Sequence, residues 1–193
     1  MKTLSLLTAA LLATSAQAQT VFSDDFEANG LALNATPAGW TIANGGTVDI
    51  VGPGLYGELC AGSGKCIDLD GSTSLAGVLS RSVNLTAGTT YTLSFDIAGN
   101  RRNAGTETGT VQLGTSTLNY SLTNSDTSYQ AMSLTFTPST SGSYSLSFAN
   151  AGGDNYGAIL DNVTLTAAVP EPTSAALLLL GLGSVALLKR RRA

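Results

Sequence analysis

Histidine is absent from the 193 residues, charged side chains make up only 11%, and there are just two cysteines and five prolines. Without imidazole there is no Ser-His-Asp triad, no histidine zinc site and no histidine general base. Basic residues are scarce as well. Away from the two ends only Lys65, Arg81, Arg101 and Arg102 stand against twelve carboxylates, a net charge of −8. Such a surface repels nucleic acid and anionic lipid and attracts cations, calcium above all outside cells. No glycine-rich phosphate or dinucleotide fingerprint occurs. Enzyme chemistry is thereby confined to carboxylates, and the chain reads as non-enzymatic.

The long apolar runs that do occur stand at the ends. Lys2, the apolar stretch Leu4 to Ala13 and Ala16-Gln17-Ala18 have the order of a signal peptide with a small-x-small cleavage site. Residues 1–18 are therefore expected to be removed, leaving a domain over 19–168 and a tail over 169–193. The tail reads Val169-Pro170-Glu171-Pro172-Thr173, then an uncharged run from Ser174 to Leu188, then Lys189-Arg190-Arg191-Arg192. Fifteen uncharged residues make a helix of about 22 Å, short against a hydrocarbon core of about 30 Å. The flanking cations fix its polarity, with the preceding domain outside the cytoplasm.

This order of Pro-Glu-Pro, short apolar helix and arginine cluster resembles the PEP-CTERM sorting signal of Gram-negative bacteria. The resemblance implies recognition of Pro170, Glu171 and Pro172 by an exosortase-type transpeptidase after transient anchoring in the inner membrane. It further implies delivery to the outer surface or matrix of a cell that makes extracellular polysaccharide.

Between the ends the hydrophobic period is two. Tyr91, Leu93, Phe95 and Ile97 alternate with polar residues, as do Met132, Leu134 and Phe136, and Tyr144, Leu146 and Phe148. These are half-buried antiparallel strands. Noisier runs at 47–51, 66–70, 78–85, 111–113, 118–122 and 159–166 are separated by turn signals such as Ala87-Gly88 and Ser141-Gly142. Many short strands at this spacing predict an all-β protein, an antiparallel β-sandwich of the jelly-roll kind. Cys60 and Cys66 flank a loop containing two glycines, and in an exported chain they predict a disulfide that stiffens a hairpin tip.

Phe22-Ser23-Asp24-Asp25-Phe26-Glu27, Trp40, Cys66 to Gly71, Tyr91 to Asn100 and Ile159 to Val163 resemble choice-of-anchor surface domains. More distantly they resemble the galactose-binding-like jelly rolls that include many carbohydrate-binding modules. That resemblance implies a structural calcium held by Asp25 or Glu27 and by Asp161. Strand parity supports Asp161 separately: it shares its parity with Ile159, Val163 and Leu165, so it should face inward with them. There a carboxylate needs a metal or several donors, unless a bulge turns it to water.

A sugar site would need flat aromatics beside polar groups. Tyr56, Tyr129 and Tyr156, with Asn100, Arg101 and Arg102, fit that description, whereas Trp40 fits the core better. Asp68 and Asp70 could divide acid and base roles in glycoside hydrolysis. They lead into Gly71-Ser72-Thr73 with no sign of a pocket that would raise one pKa, so a turn or cation-binding role is expected instead. Asp96 is expected to pair on the surface with Arg101 or Arg102. The predicted function is a binding or structural module associated with exopolysaccharide. A carboxylate-dependent glycan hydrolase and an adhesion protein without sugar affinity remain as alternatives.

Overall fold

Each alternating segment presents one apolar and one polar face, and two such sheets hide their apolar faces only by packing against each other. In the computed structural model, which describes residues 18–60, 63–102, 104–123, 126 and 128–169, eleven strands do so. The sorting motif, the apolar tail helix and all of the signal peptide but Ala18 lie outside the described residues. Gln19–Ala168 forms one compact unit by its own contacts.

The strands are β1 (Gln19–Asp24), β2 (Thr41–Ala43), β3 (Asp49–Val51), β4 (Cys66–Asp68), β5 (Val78–Leu85), β6 (Tyr91–Ala98), β7 (Glu107–Leu113), β8 (Ser116–Leu122), β9 (Gln130–Phe136), β10 (Gly142–Asn150) and β11 (Ile159–Ala167). One sheet runs β3-β4-β11-β6-β9, with β1 also paired to β11; the other runs β2-β5-β10-β7-β8. Every strand pairing in both sheets is antiparallel. The expected β-sandwich of the jelly-roll kind is what the chain forms.

The core between the sheets contains Leu79, Leu93, Phe95, Ile97, Leu146, Phe148, Val163 and Leu165, joined by Phe26 and Trp40. Phe95 and Phe148 meet edge to face at 5.1 Å. Trp40 is a core residue, its indole Nε1 donating to Asp24 Oδ2 at 2.8 Å.

The first sheet has a second covered face. Val51, Leu59, Cys60, Cys66, Ala98 and Ile159 form a separate apolar cluster, and the Cys60–Cys66 disulfide lies within it. The chain between β3 and β4, with a 3-10 turn at Gly57–Leu59, thus lies over the outer face of that sheet.

A bulge in β11 decides which face Asp161 joins. The pairing with β6 shifts register between Asp161 and Thr164, and Asn162 adopts φ 51. Leu160, Val163 and Leu165 consequently enter the main core, while Ile159 enters the outer cluster. Asp161 follows Ile159. It is buried, but on the outer face, so the uniform parity read from the sequence is corrected: the extra residue switches the strand's faces midway.

Candidate functional site

The loops after β4, after β6 and between β10 and β11 meet at one end of the sandwich around a set of carboxylates. Asp68 ends β4 almost wholly buried. Its Oδ1 accepts from the backbone N–H of Gly157 at 2.9 Å and of Asp70 at 3.2 Å, and its Oδ2 takes the Arg102 guanidinium in an ion pair. Gly157 is required sterically. A Cβ there would lie 2.2 Å from the Asp70 nitrogen and 2.4 Å from Asp68 Oδ1.

Asn100 shapes the approach of the arginine. Its Oδ1 accepts from the Arg102 N–H at 2.9 Å, and its Nδ2 donates to Glu107 Oε1 at 2.7 Å. Arg101 sits in the left-handed region with φ 55, and the two neighbouring arginines part company there. Arg102 enters the acidic cluster and lies over the Tyr156 ring at 4.7 Å. Arg101 instead donates to the carbonyls of Leu59 and Cys60 at 2.9 and 3.0 Å, with the Tyr129 ring 6.0 Å away.

Three more acids complete the end. Asp49 faces Asp68 across the β3–β4 pair and accepts from Asn34 N, Ser72 N and Ser72 Oγ. Glu107 accepts from Asn150 Nδ2 at 3.1 Å as well as from Asn100. Asp154 accepts from Tyr156 N at 3.0 Å. Asn150 Oδ1 in turn accepts from Tyr120 Oη at 2.9 Å. Tyr120 lines an open cleft of about 440 Å³ with Thr108, Thr110, Asn119 and Asn150.

Burial governs the electrostatics. It pushes the Asp68 carboxyl from an ordinary 3.8 up to about 7, against the pull of Arg102. Asp70 is pushed to about 6 by burial and by the negative charges of Asp154, Glu107 and Asp49. Burial raises Glu107 too, opposed by its two asparagine amides. The expectation that nothing here would raise a carboxyl pKa is therefore corrected. Strands and loops remote in sequence supply the enclosure.

Of the residues expected to bind ligand, Asn100, Arg102 and Tyr156 come together, while Arg101 serves the disulfide loop. Tyr56 is 47% exposed at the start of the 3-10 turn in that same loop. Asp96 takes neither arginine and accepts from Asn162 Nδ2 at 2.9 Å.

The calcium residues lie on the other side of the disulfide cluster. Asp161 is raised to about 6 by burial, with the charges of Asp96, Glu27 and Asp25 adding to the effect. Its Oδ1 accepts from Asn162 N at 2.7 Å, and Glu27 Oε1 is taken by the Lys65 N–H. Asp25 Oδ1 accepts from Glu27 N at 3.2 Å. Among the described residues no group of three or more acidic side chains is gathered tightly enough to hold a metal ion.

Asp49, Glu107, Asn150, Asp154 and Gly157 escaped the reading of the sequence. Asp49 stands between the apolar Val48 and Ile50, where a solvent-facing side chain is the ordinary inference, whereas Glu107 shares the parity of the buried Val111 and Leu113 but lies before the run that reads as a strand from Val111. Gly157 carries no signal of its own.

A family model described as "Protein of unknown function (DUF642)" matches residues 17–166, and a model of the PEP-CTERM protein-sorting motif matches residues 168–192. No curated protein matches the chain significantly. Among solved structures, the CBM22-1 xylan-binding domain from Paenibacillus barcinonensis Xyn10C is similar at 16% identity and TM-score 0.53, over 81% of this chain and 99% of that one. The K3 cleaved adhesin domain of Lys-gingipain from Porphyromonas gingivalis is similar at 17% identity and TM-score 0.53, over 78% and 99%. An arabinose-bound α-L-arabinofuranosidase, MgGH51, matches at 13% identity and TM-score 0.55 over 79% of this chain but 27% of its own. At these identities the likeness is one of fold.

Proposed function

The chain belongs to the DUF642 family and carries a PEP-CTERM sorting motif that marks it as an exported protein sorted through the membrane, and on that premise we propose that it is a non-catalytic glycan-binding module. An exosortase-type transpeptidase would release it from the inner membrane, and exopolysaccharide at the outer surface of a Gram-negative cell would be its ligand.

The observation that carries the reading is the open cleft beside the acidic end. Hydroxyls and amides of Thr108, Thr110, Asn119 and Asn150 line it, and a hydrogen-bonded chain from Tyr120 through Asn150 to Glu107 links it to the cluster where Arg102 lies over Tyr156. Neutral hydroxyl and amide groups near the half-buried Tyr156 ring suit uncharged sugar rings, which offer both hydroxyls and apolar C–H faces. The surplus of carboxylates in the domain disfavours acidic polysaccharides. Binding fits this end better than hydrolysis. Asp68 is committed to Arg102 and two backbone amides, and Asp70 has no solvent-accessible surface from which to reach a glycosidic oxygen.

Affinity electrophoresis of residues 19–168 through gels containing neutral polysaccharides, such as xylan, β-glucan or galactan, tests this. The wild type should be retarded by at least one of them. Asn119→Ala and Tyr156→Ala should weaken retention by about tenfold, the size of one lost stacking or hydrogen-bonding contact, and Tyr56→Ala should leave it unchanged. Free migration through every gel would refute the proposal.

A further inference from the structure

Of the carboxylates of the acidic end, Asp154 is exposed and Asp49, Asp68, Asp70 and Glu107 are buried, yet the buried four are not alike. Asp49 has three donors and Asp68 has two backbone amides and a guanidinium. Glu107 has two asparagine amides and Asp154 a backbone amide. Asp70 has no exposed surface, and neither its Oδ1 nor its Oδ2 has any hydrogen-bond partner. Its backbone N–H is used, since it donates to Asp68, but its side chain is stranded.

An enclosed carboxylate without donors costs several kcal/mol. The neighbours worsen the position, because Asp154, Glu107 and Asp49 press on Asp70 with like charge and only Arg102 opposes them. Arg102 is held by Asp68 and the Tyr156 ring, and its Nε is likewise buried without a hydrogen-bond partner. Buried polar groups of this kind are ordinarily completed by an ion or water. Here the surrounding charge selects a cation, and the ligand atoms are all hard oxygens.

We propose that Asp70 anchors a divalent cation, calcium from the extracellular medium, at the end of the sandwich formed by the loops after β4, after β6 and between β10 and β11. No three carboxylates are gathered there among the described residues, so backbone oxygens and water complete the shell, as calcium readily accepts. Glu107 and Asp154 contribute charge. The cation ties the loop after β4 to the loop carrying Asp154, and so fixes the ground on which Arg102 and Tyr156 stand. This site is separate from Asp161, whose Oδ1 is already taken by Asn162 N–H, and it does not depend on glycan binding.

The test is thermal melting of residues 19–168, first stripped with chelator and then titrated with calcium chloride. A ligand bound only by the folded state raises the midpoint as its concentration rises. For the affinities of about 10⁻⁴–10⁻³ M found in extracellular modules, the expected rise is roughly 5 °C at about 10 mM. The rise should persist in Asp161→Asn and vanish in Asp70→Asn. The stripped Asp70→Asn protein should melt no lower than the stripped wild type, because the amide removes the stranded charge. Should Asp70→Asn fail to fold, terbium luminescence with calcium competition on the wild type and on Asp154→Asn replaces it, with several-fold weaker binding expected in the variant. A wild-type midpoint indifferent to calcium, an undiminished rise in Asp70→Asn, a rise lost in Asp161→Asn, or equal terbium affinity in both proteins would each overturn the assignment.

Discussion

Two acidic clusters flank the disulfide-linked apolar patch on the outside of the first sheet, and they resolve the same electrostatic problem differently. Around Asp161 every acid has a donor: Asp25 accepts from the Glu27 N–H, Glu27 from the Lys65 N–H, Asp96 from the Asn162 amide and Asp161 from the Asn162 N–H. Around Asp68 and Asp70 the donors arrive from distant loops, and one carboxylate receives none. A cluster satisfied by its own neighbours is a structural device. The other brings together β3, β4 and three loops and leaves the Asp70 carboxylate without a donor.

The largest effect expected from breaking this contrast is at Arg102. Arg102→Ala would leave Asp68 without its counter-charge, so that the buried carboxyl must take up a proton or stay unpaired, at a cost of about 3 kcal/mol in urea unfolding at neutral pH. A loss below about 1 kcal/mol would show that the two backbone amides suffice for Asp68.

The second cut is at the disulfide between the clusters. Replacing Cys60 and Cys66 by serine opens a loop with a sequence separation of only 6, so chain entropy accounts for about 2 kcal/mol. Hydrogen exchange should quicken in the segment from Val51 to Cys66 and around Asp161, while the loops at 99–106 and 150–158 keep their protection. Equal loosening of both ends would mean that the clusters form one cooperative unit rather than two.

The smallest effect is read as a sign. Asp68 is raised from 3.8 to about 7, and Asp70 and Asp161 to about 6. Between those limits the folded chain holds more protons than the unfolded one, so these groups make stability fall as pH rises from about 4 to about 7 and leave it flat above. In calcium-free buffer, Asp70→Asn and Asp161→Asn should each make that decline shallower. A slope unchanged in both variants would show that neither group titrates in the window.

Much of the architecture was legible. The alternation at Tyr91 to Ile97, Met132 to Phe136 and Tyr144 to Phe148 located β6, β9 and β10, and the cysteine spacing located the disulfide. β1 and β2 were missed: the first is largely exposed without clean alternation, and the second is three residues long. Asn100, Arg102 and Tyr156, chosen by residue type, come together in the structure. Arg101 looked equivalent to Arg102, and only the left-handed backbone at Arg101 separates them. Asp161 failed as a core residue because parity counting assumes an unbroken pleat, and Asn162 breaks it.

By itself, then, the sequence determined the sorting motif, the acidic character, the disulfide and the two-layered β architecture. Each of these depends on residues close together in the chain or on composition summed over it. Tertiary structure alone decided the state of each carboxylate. Asp68 draws on Arg102, 34 residues away, and on Gly157, 89 residues away, whereas Asp70 draws on nothing. A side chain's period is a local property of the strand, but its solvation is set by whatever the rest of the fold brings to it.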